Sequence, residues 1–160
     1  MPVEPEMSRW IFASTSGDFG ALASTAGIKL YVEGQPRDTN EFSSFIEFRM
    51  DGPDKTELSK GFFELAIEIN ILVTKGQVDS EYHDIHRLVG EVQDMFKQTI
   101  SVFRYGDGPN DDNSFVGCLI LQQSLRGRKS VETNHFGLIN PKDSILQATV
   151  EAEYRMQLTR

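Results

Sequence analysis

Phe62-Phe63-Glu64-Leu65-Ala66-Ile67-Glu68-Ile69-Asn70-Ile71-Leu72-Val73 places Phe63, Leu65, Ile67, Ile69, Ile71 and Val73 on alternate positions. Side chains in a strand alternate with period 2, so this run predicts one buried and one polar face. Ile145–Leu158 repeats the pattern, with Leu146, Ala148, Val150, Ala152, Tyr154, Met156 and Leu158 sharing a side. Typical strands run about 5–6 residues, so two of about twelve or more predict a sheet that extends beyond its own core. Overhanging strands need something to pair with or pack on, which favours a subunit of an assembly over a self-contained catalyst.

Between these strands, Glu81–Thr99 reads as a helix, because Ile85, Leu88, Val89, Val92, Met95 and Phe96 recur at spacings of three and four. Met1–Met7 reads as a loose arm, and Ser8 as the cap of a short helix reaching about Ser14. Ile28–Val32 and Phe45–Met50 read as strands, the second stopped by Asp51-Gly52-Pro53. Ile100–Tyr105 and Val116–Ser124 form a plausible antiparallel pair around the polar loop Gly106–Ser114. Leu125–Lys142 reads as a long irregular loop. The fold expected is one α+β domain over residues 1–160. It has a mixed, mainly antiparallel sheet of about five to six strands, the Glu81–Thr99 helix packed on one face and a short N-terminal helix.

With 24 Asp and Glu against 16 Lys and Arg, the formal net charge is −8 and spreads along the chain. Proteins grip phosphate backbones with clustered cations, so sequence-specific nucleic-acid binding is not expected, although a protein that surrounds DNA without gripping it remains compatible. No apolar run approaches the roughly 20 residues that span a bilayer, so a soluble protein with no membrane partner is expected. The one cysteine, Cys118, cannot form an intrachain disulfide and reads as a buried strand residue in a reducing compartment.

Candidate chemistry is sparse. His83 and His86 form H-x-x-H at the start of the helix, but His135 lies far off in sequence, and zinc needs three or four ligands. Gly106–Asn113 lacks the ligand spacing of a calcium loop, yet its acidic tip, Asp107, Asp111 and Asp112, is a candidate contact loop. No nucleophile elbow or phosphate-binding glycine motif occurs, so neither an enzyme nor a cofactor is expected. Arg126, Arg128 and Lys129, with His135 in the same predicted loop, make the one local basic patch. Copies of that patch in a ring would add up to a belt, nominating these four residues for a lumen or partner contact.

Gly34-Gln35-Pro36-Arg37, Phe45–Pro53, the strand Glu64–Thr74 containing Ile69-Asn70-Ile71-Leu72-Val73, the helix opening Glu81-Tyr82-His83, Phe103–Gly108 and the closing Ala148–Leu158 follow one another in order. In that order the chain resembles the tail terminator (tail completion) proteins of tailed bacteriophages. The resemblance implies a structural virion protein at the tail–neck junction, made in the host cytoplasm, and a homo-hexameric ring. Such a ring caps the tail tube protein, ends tube polymerisation, offers a surface to the head-closure or neck protein, and lets DNA pass without specific binding. The sheath protein of a contractile tail is a further partner it implies. A head-closure or connector ring protein is the alternative within the same class. A small α+β ligand- or metal-binding domain using His83, His86 and the acidic loop is the alternative outside it.

Overall fold

The computed structural model describes residues 6–34, 44–76, 82–123, 130–140 and 145–159. Nine elements follow one another: α1 (Met7–Ala26), β1 (Leu30–Val32), β2 (Ser44–Ser59), β3 (Phe62–Lys75), α2 (Tyr82–Asp94), β4 (Thr99–Phe103), β5 (Phe115–Leu121), β6 (Glu132–Asn140) and β7 (Ile145–Thr159). Six strands run in the order β1-β2-β3-β7-β5-β4, and β6 pairs with β7 beside them. Only β1 and β2 pair in parallel; every other pairing is antiparallel.

The protein is mostly β, a sheet curled into a half-barrel with two helices, which corrects the expected α+β arrangement of one long helix packed on one face of the sheet and a short N-terminal helix. The predicted short N-terminal helix is the longer of the two at 20 residues, and it starts inside the expected arm, with Met7 buried. Trp10, Ile11, Ser14, Thr15, Phe19 and Ala23 form its buried face. Between them, Ser14-Thr15-Ser16-Gly17-Asp18 and Gly20 are poor helix formers, which hid the helix in the sequence. Tertiary burial overrides that propensity, and Thr15 settles its hydroxyl on the Ile11 carbonyl at 2.8 Å. The helix ends in a Schellman motif. Gly27 adopts φ 73°, its N–H donates to the Ser24 carbonyl and the Ile28 N–H donates to that of Ala23.

The second helix is shorter than the predicted Glu81–Thr99. After Asp94 the chain tightens, with the N–H groups of Met95 and Phe96 reaching back only three residues to Val92 and Gln93. The Lys97 carbonyl then accepts a 2.6 Å hydrogen bond from the Tyr154 hydroxyl, whose pKa burial raises well above the ordinary phenol range. By Thr99 the backbone is paired in β4, opposite Ile120. The expected face Ile85, Leu88, Val89, Val92, Met95 and Phe96 is buried as the periodicity indicates.

The two long strands lie where the alternation puts them and pair along their whole length, from Phe62 opposite Thr159 to Lys75 opposite Leu146. Asp51-Gly52-Pro53 does not stop β2. It forms a bulge between the Asp51 and Asp54 pairings, where Gly52 at φ 98° brings its backbone so close that a Cβ would lie 2.8 Å from the Ala66 carbonyl oxygen. The strand then continues to Ser59 and turns through Lys60 and Gly61 into Phe62. Half of the predicted 125–142 loop is likewise strand β6. Its two register shifts, at His135/Gly137 and Leu138/Asn140, break the alternation by which a strand is recognised.

One apolar cluster joins both helices to the inner face of the sheet. Helix α1 packs against β4 on one side and β1 and β2 on the other, closing the open side of the curl, while α2 packs on β3 and β7. Phe19 links these parts, its ring 5.4 Å from Phe48 of β2 and 5.0 Å from Phe96 after α2. Replacing Phe19 with alanine should therefore cost about 3–5 kcal/mol in urea denaturation, in the range for large-to-small changes in a packed core. Gly17→Ala should act oppositely, adding up to about 1 kcal/mol of helix propensity at an exposed site with nothing within 4 Å of the new Cβ.

Candidate assembly surface

The acidic loop after β4 is held to the N-terminal helix through one side chain. Asp111 accepts from the Arg9 guanidinium at 2.9 and 2.7 Å, from Trp10 Nε1 at 2.6 Å and from the Gly108 backbone at 2.9 Å. Trp10 is fully buried, and the Arg104 guanidinium lies over its indole, 5.3 Å from the ring centroid. The Arg9 guanidinium, and secondarily the Trp10 N–H, hold the Asp111 carboxyl below the usual carboxylate range. Asp112 accepts from the Ser114 backbone at 3.0 Å, and its pKa is lowered by the Ser114 hydrogen bonds. Of the three nominated acids, Asp111 faces inward as a clamp, Asp112 fixes the local turn, and Asp107 stands exposed at the tip.

Arg126, Arg128 and Lys129 lie outside the described residues. His135 is in β6, not a loop, and its ring lies against that of His86 of α2, with centroids 4.4 Å apart and planes tilted by 40°. Burial, with a smaller contribution from His86, lowers the His135 pKa. The sequence hid this meeting because it depends on β6 pairing with β7. Among the described residues, no three His, Cys, Asp or Glu side chains gather as a metal site. Cys118 is half-buried, not a core residue, and lies 3.9 Å from the Ser101 hydroxyl. Among the described residues no helix is long and apolar enough to cross a membrane.

The outer face of the sheet gathers charged residues from β2, β3, β6 and β7. The register aligns Asp51, Glu68 and Glu153 in one row and Arg49, Asn70, Glu151 and Glu132 in the next, with Glu64 and Arg155 nearby. Arg155 bridges Glu153 at 2.9 Å and Glu64 at 3.2 Å, and Arg49 reaches Glu47 at 3.3 Å. Those arginines leave Glu68 and Glu151 near each other without a guanidinium at hydrogen-bond distance among the described residues. Burial first, then Glu151, with Asp51 and Glu153 behind it, raises the Glu68 pKa above its ordinary value.

Two further features lie at the β2–β3 hairpin tip and along the β4 edge. At the β2–β3 end, the hairpin carries exposed Leu58 and Lys60 on its tip, and β1 covers β2 only from Ile46 to Phe48. Asp54–Ser59 holds a single apolar residue, Leu58, so before Lys60-Gly61 no alternation marked this arm of the hairpin. At the β4 end, an open pocket of about 430 Å³ lies between α1 and the strand edge, lined by Asp18, Lys97, Thr99, Ser101, Phe103 and Tyr105 among others. The Phe103, Tyr105 and Phe115 rings stack beside it, with Tyr105 43% and Phe115 56% exposed. No protein-family model and no curated protein matches the chain.

Asp111→Asn should free the loop. Amide exchange over 105–113 should rise and the melting temperature fall, while far-UV circular dichroism stays native. Because the folded pKa of Asp111 is depressed, the clamp is complete above the ordinary carboxylate pKa of about 3.9 and is lost only as pH falls through the lower folded value. Wild-type loop protection should thus persist at pH 4. Glu68 has the reverse sign. Its raised pKa makes the ionised form unfavourable, a penalty that enters as pH rises through about 4.3. Glu68→Gln should raise the melting temperature at pH 7 and leave it unchanged near pH 3.

Proposed function

We propose that this protein is a structural ring subunit of the tail-terminator kind, capping a tail tube as a homo-hexamer and presenting a new surface to the neck. The observation that carries this reading is the outer face of β2, β3 and β7. Strands of 14 to 16 residues bear a carboxylate-rich surface on the side away from both helices, with only part of its charge offset by Arg49 and Arg155. A wall of that sign repels phosphate, which suits a passage through which DNA slides without being held. Among the described residues there is no constellation of nucleophile, base and orienting group for catalysis, so the reading rests on surface and geometry.

A sheet whose two ends differ also suits a ring. Contacts that join unlike surfaces head to tail close into cyclic assemblies when the rotation permits, whereas like-to-like contacts give dimers. Here the three-residue β1 edges the sheet at one end and β4, with the pocket beside it, at the other. The acidic face would line the lumen, with the clamped 105–113 loop at the rim.

Negative-stain electron microscopy of the protein alone, and mixed with tail tube protein, tests the proposal. Rings, or tubes closed at one end, are the expected result. Monomers that leave tubes open and growing would overturn it. Rings that bind portal or adaptor protein but ignore tubes would reassign the chain to the head-closure side of the neck.

A further inference from the structure

We infer that His86 and His135 form a two-histidine site for a first-row divalent ion of the Ni²⁺ or Cu²⁺ kind, which on binding staples β6 to α2. The inference goes beyond the ring reading and does not rest on it.

The fold removes the distance in sequence that separates His135 from the helix histidines. Thr133 and His135 occupy alternate positions of β6, opposite Val150 and Ala148 of β7, whose side chains are buried in the core. They therefore face the side on which α2 packs against β7. On the helix, His86 and Gln93 stand two turns apart and so share a face. The two pairs meet: Gln93 Nε2 donates to Thr133 Oγ1 at 2.8 Å, and the His86 and His135 ring centroids are 4.4 Å apart. The imidazoles are thus brought together by a helix and a strand, each held by its own packing. Just after His135 the ladder slips, between the His135 and Gly137 pairings, and bulges of this kind re-aim side chains beside binding sites.

The spacing suits a metal ion. With metal–nitrogen bonds of about 2.0–2.1 Å and a ring centroid about 1.1 Å beyond the ligating nitrogen, two imidazoles at right angles about one ion have centroids about 4.5 Å apart, against about 5.2 Å at the tetrahedral angle. The observed 4.4 Å matches the right-angled arrangement, which square-planar and octahedral ions adopt. Rotation about each Cβ–Cγ bond, soft for histidine, turns a nitrogen of each ring toward the ion and leaves the centroids in place. Both residues are exposed, and neither has a hydrogen bond or ion pair among the described residues, so the ring nitrogens are open to a ligand from solvent. A neutral imidazole offers one in-plane lone pair, the form that metals bind. Two such ligands fall short of the three or four of a closed zinc site, so water fills the other positions, and affinity at nitrogen ligands rises toward Ni²⁺ and Cu²⁺. Among the described residues β6 pairs only with β7, so an ion held from both sides ties this outlying strand to the helix.

Nickel binding by the untagged full chain is the test, followed by calorimetry and by melting temperature near neutral pH. Ni²⁺ at about 100 times its dissociation constant should raise the melting temperature by about 5–10 °C, and Mg²⁺, which takes oxygen ligands, should leave it unchanged. His86→Ala and His135→Ala should each lower nickel affinity at least about tenfold and abolish the shift, with native circular dichroism because both residues are exposed. Cys118→Ser should keep the affinity; its loss would move the ion to the thiol and overturn the site. With Cu²⁺ as the probe, electron paramagnetic resonance should detect two nitrogen ligands in the wild type and one in either histidine variant. No nickel binding tighter than about 1 mM, or equal binding by the wild type and both variants, would overturn the site. Binding that survives His135→Ala but is lost with His83→Ala would overturn it as well, placing the ion on the helix alone.

Discussion

Burial of one face of α1 inside the curl of the sheet is the constraint on which the rest of the structure depends. Trp10, Ile11, Phe19 and Ala23 fill a space bounded by β4 on one side and β1 and β2 on the other. Full burial of such side chains contributes about 1.5–3 kcal/mol each. That sum outweighs the weak helix propensity of the serine- and glycine-rich middle of the helix. It also fixes where the loop after β4 can sit, because Arg9 and Trp10, adjacent on the helix, grip Asp111 from two directions. A change in the helix therefore reaches the 105–113 loop, the pocket and the β4 edge together.

How much of this was legible in the sequence follows from which signals are local. The β3 and β7 alternation and the α2 periodicity are local and uninterrupted, and they give their buried faces correctly, among them Leu65, Ile67 and Ile69 of β3, Val150 of β7 and Val92 of α2. The long α1, the continuation of β2 through Gly52 and the whole of β6 were not legible. Each depends on a partner distant in the chain: the closing of the curl for α1, the Ala66 backbone for the bulge, and β7 for β6. The candidate site divides in the same way. That Asp111 faces inward is invisible until Arg9, more than a hundred positions away, is placed beside it, and His86 and His135 meet only because β6 lies on β7. The shape of the fold class was misjudged because curling is a property of the whole sheet and leaves no mark on any single strand.

The acidic outer face shows a compromise between stability and surface chemistry. Glu68 faces Glu151 and Glu153 across paired strands, an arrangement that like-charge repulsion disfavours. Arg155 relieves it for Glu153 and Glu64, and Arg49 for Glu47, while the Asn70 amide donates to Glu151 at 3.2 Å. What remains is a sheet face that keeps excess negative charge although a neutral residue at position 68 would serve the fold better. On the proposed reading, that retained charge is what keeps a polyanion moving past.

The place of β7 has a consequence for how the chain reaches its fold. This strand pairs with β3 along its full length on one side, and on the other with β6 over its first half and β5 at Ile120 and Leu121. Apart from it, β1, β2 and β3 form one ribbon and β4 and β5 another, with no strand pairing between the two ribbons. Since β7 follows both ribbons in the chain, they can be joined only after it has formed. Pairing across so many intervening residues is slow, because loop-closure entropy must be overcome before the contacts form. During that interval the apolar inner faces of both ribbons are exposed to each other's copies, so the folding chain is most open to misassembly before β7 docks.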